Sequence, residues 1–120
     1  MDIDNTTKKY AVTEAFLANG KQILITGACG NWGEHFAIGM ALASQCDLVL
    51  ADTKSQEKEM EAIVSDINQY NLPIRLNTYL IEEGETDDRY AFYDKMETLF
   101  GKLDAIMDVA AINTAGGANN

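Results

Sequence analysis

Three glycines at regular spacing form the part of the sequence most suited to chemistry. Gly27, Gly30 and Gly33 lie in the stretch QILITGACGNWG at residues 22–33, where a short apolar run meets a polar turn. Gly27 permits a tight reversal after a strand, Gly30 lets the main chain approach a phosphate oxygen, and Gly33 allows the following helix to pack closely. The amides and the dipole at the start of that helix would then hold a dinucleotide pyrophosphate.

Backbone amides alone would bind the negatively charged pyrophosphate, since no lysine or arginine occurs between residues 22 and 40. The same glycine spacing also occurs in ordinary strand-to-helix turns, so a purely structural loop is the alternative interpretation. A second feature favours the dinucleotide. Asp52 directly follows the apolar run at 47–51 and lies 19 residues beyond Gly33, where a carboxylate can accept hydrogen bonds from the adenosine ribose.

Asp52 also predicts which dinucleotide binds. Its charge would repel a 2′-phosphate, so the sequence favours NAD over NADP. Lys54 stands two residues later and would soften that preference. The structural alternative is an aspartate that only caps a helix or stabilises a turn.

The elements that must position these residues alternate along the chain. Apolar or alternating runs predict strands at 22–26, 47–51, 74–80 and 103–111. Helical spacing of apolar residues predicts helices at 36–44, 60–70 and 90–100. Phe36, Met40 and Ala43 form the apolar face predicted for the first. The face predicted for the second consists of Met60, Ile63, Val64, Ile67 and Tyr70. Thr53 and Gln56 resemble a capping box, and Gly101 is a plausible helix terminator.

The order of these elements is β-α-β-α-β-α-β. Right-handed crossovers between parallel strands then predict an α/β fold with a Rossmann-like parallel sheet in the order 3-2-1-4.

The sequence resembles the short-chain dehydrogenase/reductase family over residues 20–112. The resemblance is carried by GKQILITGACGNWG, by LVLAD ending at Asp52, and by FGKLDAIMDVAAI. It implies the NAD(P)-binding portion of an oxidoreductase that acts on an alcohol or carbonyl substrate. The predicted cofactor contacts are Thr26, Gly27, Gly30, Asn31, Trp32, Gly33, Asp52, Ala110 and Ala111.

Two branches of that family share features with the chain. The spacing Thr-Gly-x-x-Gly-x-x-Gly and the pair Ala110 and Ala111 are similar to the extended branch, which includes sugar-nucleotide epimerases. The segment GKLD at 101–104 is more similar to the classical branch. The resemblance therefore leaves the branch open.

The family's catalytic serine and Tyr-x-x-x-Lys motif follow strand five, which would lie beyond this chain. No Tyr-x-x-x-Lys occurs in the 120 residues; Asp94 stands four positions after Tyr90, and Glu97 stands four after Tyr93. In the family the lysine lowers the pKa of the tyrosine, which would otherwise be a poor base at neutral pH. We therefore predict a cofactor half-site with no catalytic residue of its own, in a truncated member or a fragment.

The fourth predicted strand suggests an assembly. It is apolar on both faces, as interior parallel strands are, yet it would lie at an edge of the sheet. This predicts that it pairs with a partner, such as a second copy of the chain in a homo-oligomer. We expect a partly disordered extension at 1–19, the NAD-binding half-domain at 20–112 and a flexible tail at 113–120.

Length, composition and charge limit which other functions are compatible with the sequence. The chain has 120 residues, 47% of them hydrophobic, which predicts one domain, and its net charge of −10 disfavours nucleic acid and anionic membranes as partners. No apolar run is long enough to cross a bilayer and residues 1–9 lack a signal-peptide core, so a cytoplasmic location is predicted. No metal site is predicted, since His35 is the sole histidine and the acidic residues at 82–88 lack the spacing of a calcium loop.

Two side chains of the glycine loop permit more than one interpretation. Trp32 would either wall the pyrophosphate pocket or pack on the sheet. Cys29, close to a helix start, could be a reactive thiol, but the absence of a nearby base or second cysteine favours a packing role.

Three functions follow. The chain could be the cofactor half of a short-chain oxidoreductase, binding a small-molecule substrate only when the remaining half is supplied. It could instead be the nucleotide half of an extended-branch sugar-nucleotide epimerase or dehydratase. The third hypothesis is a noncatalytic module for nucleotide binding or assembly.

Overall fold

The computed structural model describes residues 20–109, which form four strands and three helices in alternation. The strands are β1 (Gln22–Thr26), β2 (Asp47–Thr53), β3 (Leu76–Ile81) and β4 (Ala105–Asp108). The helices are α1 (Asn31–Ser44), α2 (Glu57–Asn68) and α3 (Arg89–Phe100), and a short 3-10 turn, Lys54–Gln56, precedes α2. None of the helices in this described range is long and apolar enough to cross a membrane. The predicted extension at 1–19 and tail at 113–120 lie outside the described residues.

All four strands run parallel in one sheet, in the order β3-β2-β1-β4. The predicted fold class and strand order are therefore confirmed. Thr26, at the end of β1, lies opposite Ala51 of β2 and Asp108 of β4. The carboxyl ends of these strands therefore lie along one edge of the sheet. Open α/β sheets bind their ligands just beyond that edge.

The side chains of the central strands alternate between two apolar layers. On one face α1 and α2 cover a cluster that includes Ile23, Ile25, Leu48, Leu50 and Ile63. On the other face α3 covers a cluster built from Leu24, Val49, Ala51, Phe92 and Met96. Because helices lie on both faces, β1 and β2 are buried along nearly their whole length, as is usual for parallel sheets.

Helix α1 packs on the sheet through small side chains. Its buried residues are Gly33, Ala37, Ala41 and Ser44. The predicted apolar face was only partly right, since Phe36 and Met40 are partly buried and pack against the core but Ala43 is exposed. The helix also begins earlier than predicted, at Asn31, because the glycine loop leads directly into it. Small residues on the buried face let α1 lie close to the sheet.

Helix α2 has the predicted apolar face but a different start. Met60, Ile63 and Ile67 are buried, as their spacing predicted, whereas Tyr70 is 49% exposed and lies beyond the end of the helix. The capping-box prediction was wrong: a 3-10 turn separates Thr53 from the helix, and no side chain provides a cap hydrogen bond at Thr53 or Gln56. The hydroxyl oxygen of Thr53 instead lies 3.0 Å from that of Ser55.

Strands β3 and β4 each begin two residues later than predicted, and side-chain carboxylates accept hydrogen bonds from the backbone amides that precede them. The amide of Arg75 donates to Oδ1 of Asp47 at 2.8 Å, and β3 begins at the next residue. The amide of Leu103 donates to Oε2 of Glu97 at 2.8 Å, and β4 begins two residues later.

The side chain of buried Gln22, the first residue of β1, forms hydrogen bonds with the carboxyl end of α3. Its Nε2 group lies 3.1, 3.2 and 3.1 Å from the carbonyl oxygens of Phe100, Gly101 and Lys102. Gly101 has a φ of +98°, and its amide donates to the carbonyl oxygen of Glu97 at 2.9 Å. The prediction that Gly101 ends the third helix is therefore confirmed.

Candidate dinucleotide-binding site

The loop between β1 and α1 has the geometry of an anion-binding turn. Gly27 has a φ of +71°, which disfavours any side chain, and the amide of Gly30 donates to its carbonyl oxygen at 3.2 Å. Gly30 then adopts an extended conformation as the N-cap of α1, with no side chain bonded to the cap. The first amides of α1 therefore lack a side-chain acceptor at the cap, and they can donate to an anion.

Gly33 is the position where a side chain is most strictly excluded. A Cβ atom there would lie 2.0 Å from the carbonyl oxygen of Gly27 and 2.7 Å from Cα of Ala28. Neither atom can move without moving the main chain of the loop. The missing side chain permits close packing, as predicted, and the nearest atoms at this position belong to the loop.

Asp52 lies near the end of β2 and contacts the glycine loop. Its Oδ2 accepts from the amide of Cys29 at 2.9 Å, and its Oδ1 accepts from the amide of Thr53 at 2.7 Å. A carboxylate offers about four acceptor positions, so capacity remains for a ribose hydroxyl. The fold thus brings the loop and Asp52 together, and the turn-stabilising role considered as an alternative is compatible with ligand binding.

Cys29 is a packing residue within this loop. Burial, followed by the negative charge of Asp52, raises the pKa of its thiol to about 12. The thiol lies 3.7 Å from the carbonyl oxygen of Gln56, to which it donates. A helix start favours thiolates, but here burial and the carboxylate oppose ionisation, which favours the packing role.

Trp32 and Asn31 stand at the start of α1, beside the loop. Trp32 is 60% exposed and stacks on Phe36, with ring centroids 6.2 Å apart. Packing of Trp32 on the sheet is therefore wrong, and its contact with a pyrophosphate stays a prediction. Asn31 and His35 are also exposed.

A polar cluster at the end of β4 was missed by the sequence analysis. Asp108 accepts from the hydroxyl of Thr26 at 2.7 Å and from the phenol of Tyr93 at 3.3 Å, and Nη1 of Arg89 lies 3.4 Å from the same carboxylate. Burial, followed by the charge of Asp108, raises the pKa of Tyr93. The sequence feature that could have indicated this cluster is Asp108, an aspartate inside an apolar strand. A partly buried charge of this kind needs polar partners.

The structure places the other predicted residues as follows. Thr26 is buried, and its hydroxyl is directed to Asp108 rather than to the loop. Ala110 and Ala111 lie outside the described residues. Within residues 20–109, no group of three or more His, Cys, Asp or Glu side chains is placed to hold a metal ion.

Two solved enzyme structures are similar to this fold. A short-chain dehydrogenase from Oenococcus oeni PSU-1 aligns with a TM-score of 0.58 at 18% identity, over 76% of this chain and 40% of the dehydrogenase. A short-chain dehydrogenase/reductase described as a glucose/ribitol dehydrogenase, from Brucella melitensis, aligns with a TM-score of 0.50 at 24% identity, over 72% and 34% of the two chains. No protein-family model and no curated protein matches the sequence.

These likenesses show the fold. The described part of the chain has the Rossmann-like architecture of the short-chain dehydrogenases/reductases, which confirms the predicted resemblance at the level of structure. The matched region spans 40% of the first enzyme and 34% of the second, so the chain corresponds to less than half of either.

Proposed function

We propose that this chain is the NAD-binding portion of an oxidoreductase similar to the short-chain dehydrogenases, acting on an alcohol or carbonyl substrate. The observation that carries the proposal is the 2.9 Å contact between Asp52 and the amide of Cys29, which sets a carboxylate beside a glycine loop at the carboxyl edge of a parallel sheet. Loop amides suit a pyrophosphate, and the carboxylate suits ribose hydroxyls.

Each part of the site has a distinct role in this proposal. The amides that follow Gly30 hold the pyrophosphate, with Asn31 and Trp32 beside it, and Asp52 accepts hydrogen bonds from the adenosine ribose. Ala110 and Ala111 are proposed to line the cofactor beyond the end of β4. The bound dinucleotide would supply hydride transfer, and the serine and Tyr-x-x-x-Lys groups for that reaction would come from residues outside these 120.

A second function, assembly through β4, is favoured by a separate observation. Ile106 lies opposite buried Leu24 in the parallel register, so both project from the same face of the sheet, yet Ile106 is 40% exposed. Among residues 20–109, β4 pairs only with β1. We propose that another strand, from a partner or from a second copy, pairs with its outer edge.

The cofactor proposal is tested by calorimetric titration of the purified 120-residue chain with NADH. The Asp52→Asn variant keeps an oxygen for the amide of Cys29 but loses the charge that strengthens bonds to the ribose. We expect a tenfold to hundredfold loss of NADH affinity, corresponding to about 1.5–3 kcal/mol.

The matched control is Asp66→Asn, which removes the same charge from an exposed position on α2 and should leave the affinity unchanged. Equal NADH affinity in the Asp52→Asn variant would remove the ribose assignment. A folded wild-type chain that binds no dinucleotide would overturn the proposed function.

A further inference from the structure

Lys54 and Glu82 form an ion pair at the same edge of the sheet as Asp52. The Nζ atom of Lys54 and Oε1 of Glu82 are within ion-pair distance, and each side chain is 60% exposed. Thr53, the last residue of β2, lies opposite Ile81, the last residue of β3. The segments that follow these two strands therefore start side by side, which places the pair next to the candidate ribose site.

Glu82 is held at this position by a second carboxylate. Its amide donates to Oε1 of Glu85 at 2.9 Å. Oε2 of Glu85 accepts from the phenol of Tyr79 on β3 and from Lys95 on α3. The acidic turn is thus anchored to both flanking elements, which fixes the backbone position of Glu82 beside Lys54. The hydrogen bond from Lys54 to Glu82 also raises the pKa of Lys54, so its ammonium stays charged.

We propose that Glu82 determines the preference of this site for NAD over NADP by neutralising Lys54. Without Glu82, the ammonium of Lys54 would offer a favourable charge to a 2′-phosphate close to Asp52. With Glu82 present, the edge carries two carboxylates and one ammonium, and it repels a phosphate dianion. An uncharged 2′-hydroxyl still finds its acceptor on Asp52. The inference rests on the proposed function, because it requires the ribose to lie at Asp52.

The test compares NADPH and NADH affinities of the Glu82→Gln variant with those of the wild-type chain by calorimetry at low ionic strength. We expect NADPH affinity to rise about fivefold to tenfold, because Lys54 becomes available to the phosphate. NADH affinity should change less than about twofold. The gain should shrink in high salt, since exposed charges are screened.

Glu83→Gln is the matched control, because it makes the same change in net charge at the next exposed residue of the turn. It should not raise NADPH affinity. Adding Lys54→Gln to the Glu82→Gln variant should return NADPH affinity to the wild-type value or below it. Circular dichroism of each variant verifies that the fold is retained.

The outcomes separate the two proposals. Unchanged NADPH affinity in a folded Glu82→Gln variant that still binds NADH would overturn the role of Glu82 alone. An equal gain in the Glu83→Gln variant, or a gain that persists without Lys54, would also overturn it. A wild-type chain that binds neither dinucleotide would overturn the proposed function and this inference together.

Discussion

At the scale of single residues, one carboxylate connects the two halves of the candidate site. Asp52 bonds to the amide of Cys29 and also raises the pKa of its thiol, after burial as the larger cause. A raised pKa means that the folded state favours the neutral thiol. This contribution to stability is complete below the unfolded value of 9.0 and is lost as the pH rises towards about 12. The thiol therefore reports on Asp52 without any ligand.

Cys29 should alkylate slowly. At pH 8 a thiol with a pKa of about 12 is ionised in roughly one molecule in ten thousand, compared with roughly one in ten for an unperturbed thiol. Asp52→Asn should accelerate labelling of Cys29 by iodoacetamide, measured by peptide mass spectrometry, because one of the charges that oppose ionisation is removed.

Two comparisons support the alkylation measurement. Fully buried Cys46 provides an internal reference that should stay unlabelled in every variant. Asp66→Asn should leave the labelling rate of Cys29 unchanged. Rapid labelling of Cys29 in the wild-type chain would contradict its placement beside Asp52.

At the scale of elements, the carboxyl end of α3 is held by the side chain of Gln22, which lies 78 positions before Phe100 in the chain. The side-chain amide of Gln22 donates to the carbonyl oxygens at the end of α3, which otherwise have few donors. Its own Oε1 is buried and has no hydrogen-bond partner within the described range. The stabilisation by the donor group is therefore partly offset by an unsatisfied acceptor.

Gln22→Met should lower the free energy of unfolding by about 1–2 kcal/mol. Methionine keeps the volume of the buried side chain but removes the two N–H groups that three carbonyl oxygens share, while also removing the unsatisfied Oε1. Urea denaturation measures the change, and Gln69→Met at an exposed position serves as the control. A loss no larger than that of the control would show that water or other groups satisfy these carbonyls equally well.

At the scale of the whole molecule, the sheet has one well-covered centre and a sparsely covered β4 edge. Leu24 is fully buried, whereas Ile106, on the same face of the neighbouring strand, is exposed over 40% of its surface. An edge strand with an exposed apolar side chain is a template for further pairing. The assembly proposal therefore predicts association that depends on concentration.

Ile106→Lys should shift the chain towards monomer, as measured by light scattering over a range of concentrations, because a charge on an edge strand opposes pairing. Leu42→Lys is the matched control, since Leu42 is 41% exposed and lies on α1 rather than on a strand. An equal effect of both variants would contradict the edge model. So would a wild-type monomer at every concentration whose β4 amides resist hydrogen exchange.

The sequence by itself determined the features that depend on short stretches of chain. The positive φ of Gly27 and the end of α3 at Gly101 follow from residue types that suit those conformations. The alternation of strands and helices, with right-handed crossovers, was sufficient to predict the order of the sheet. The spacing from the glycine loop to Asp52 predicted one shared cofactor site, and the two are adjacent because both lie at the carboxyl ends of neighbouring parallel strands.

Only the tertiary structure decided which distant side chains become partners. Thr26 and Asp108 are 82 positions apart in the chain, and they meet because β4 pairs with β1 in one particular register. The buried face of α1 was also decided by packing, since small residues let the helix approach the sheet more closely than Phe36 would. The pairing of Lys54 with Glu82 has the same origin. Local patterns specify conformation, whereas partnerships across the sheet depend on register and on the distance between layers.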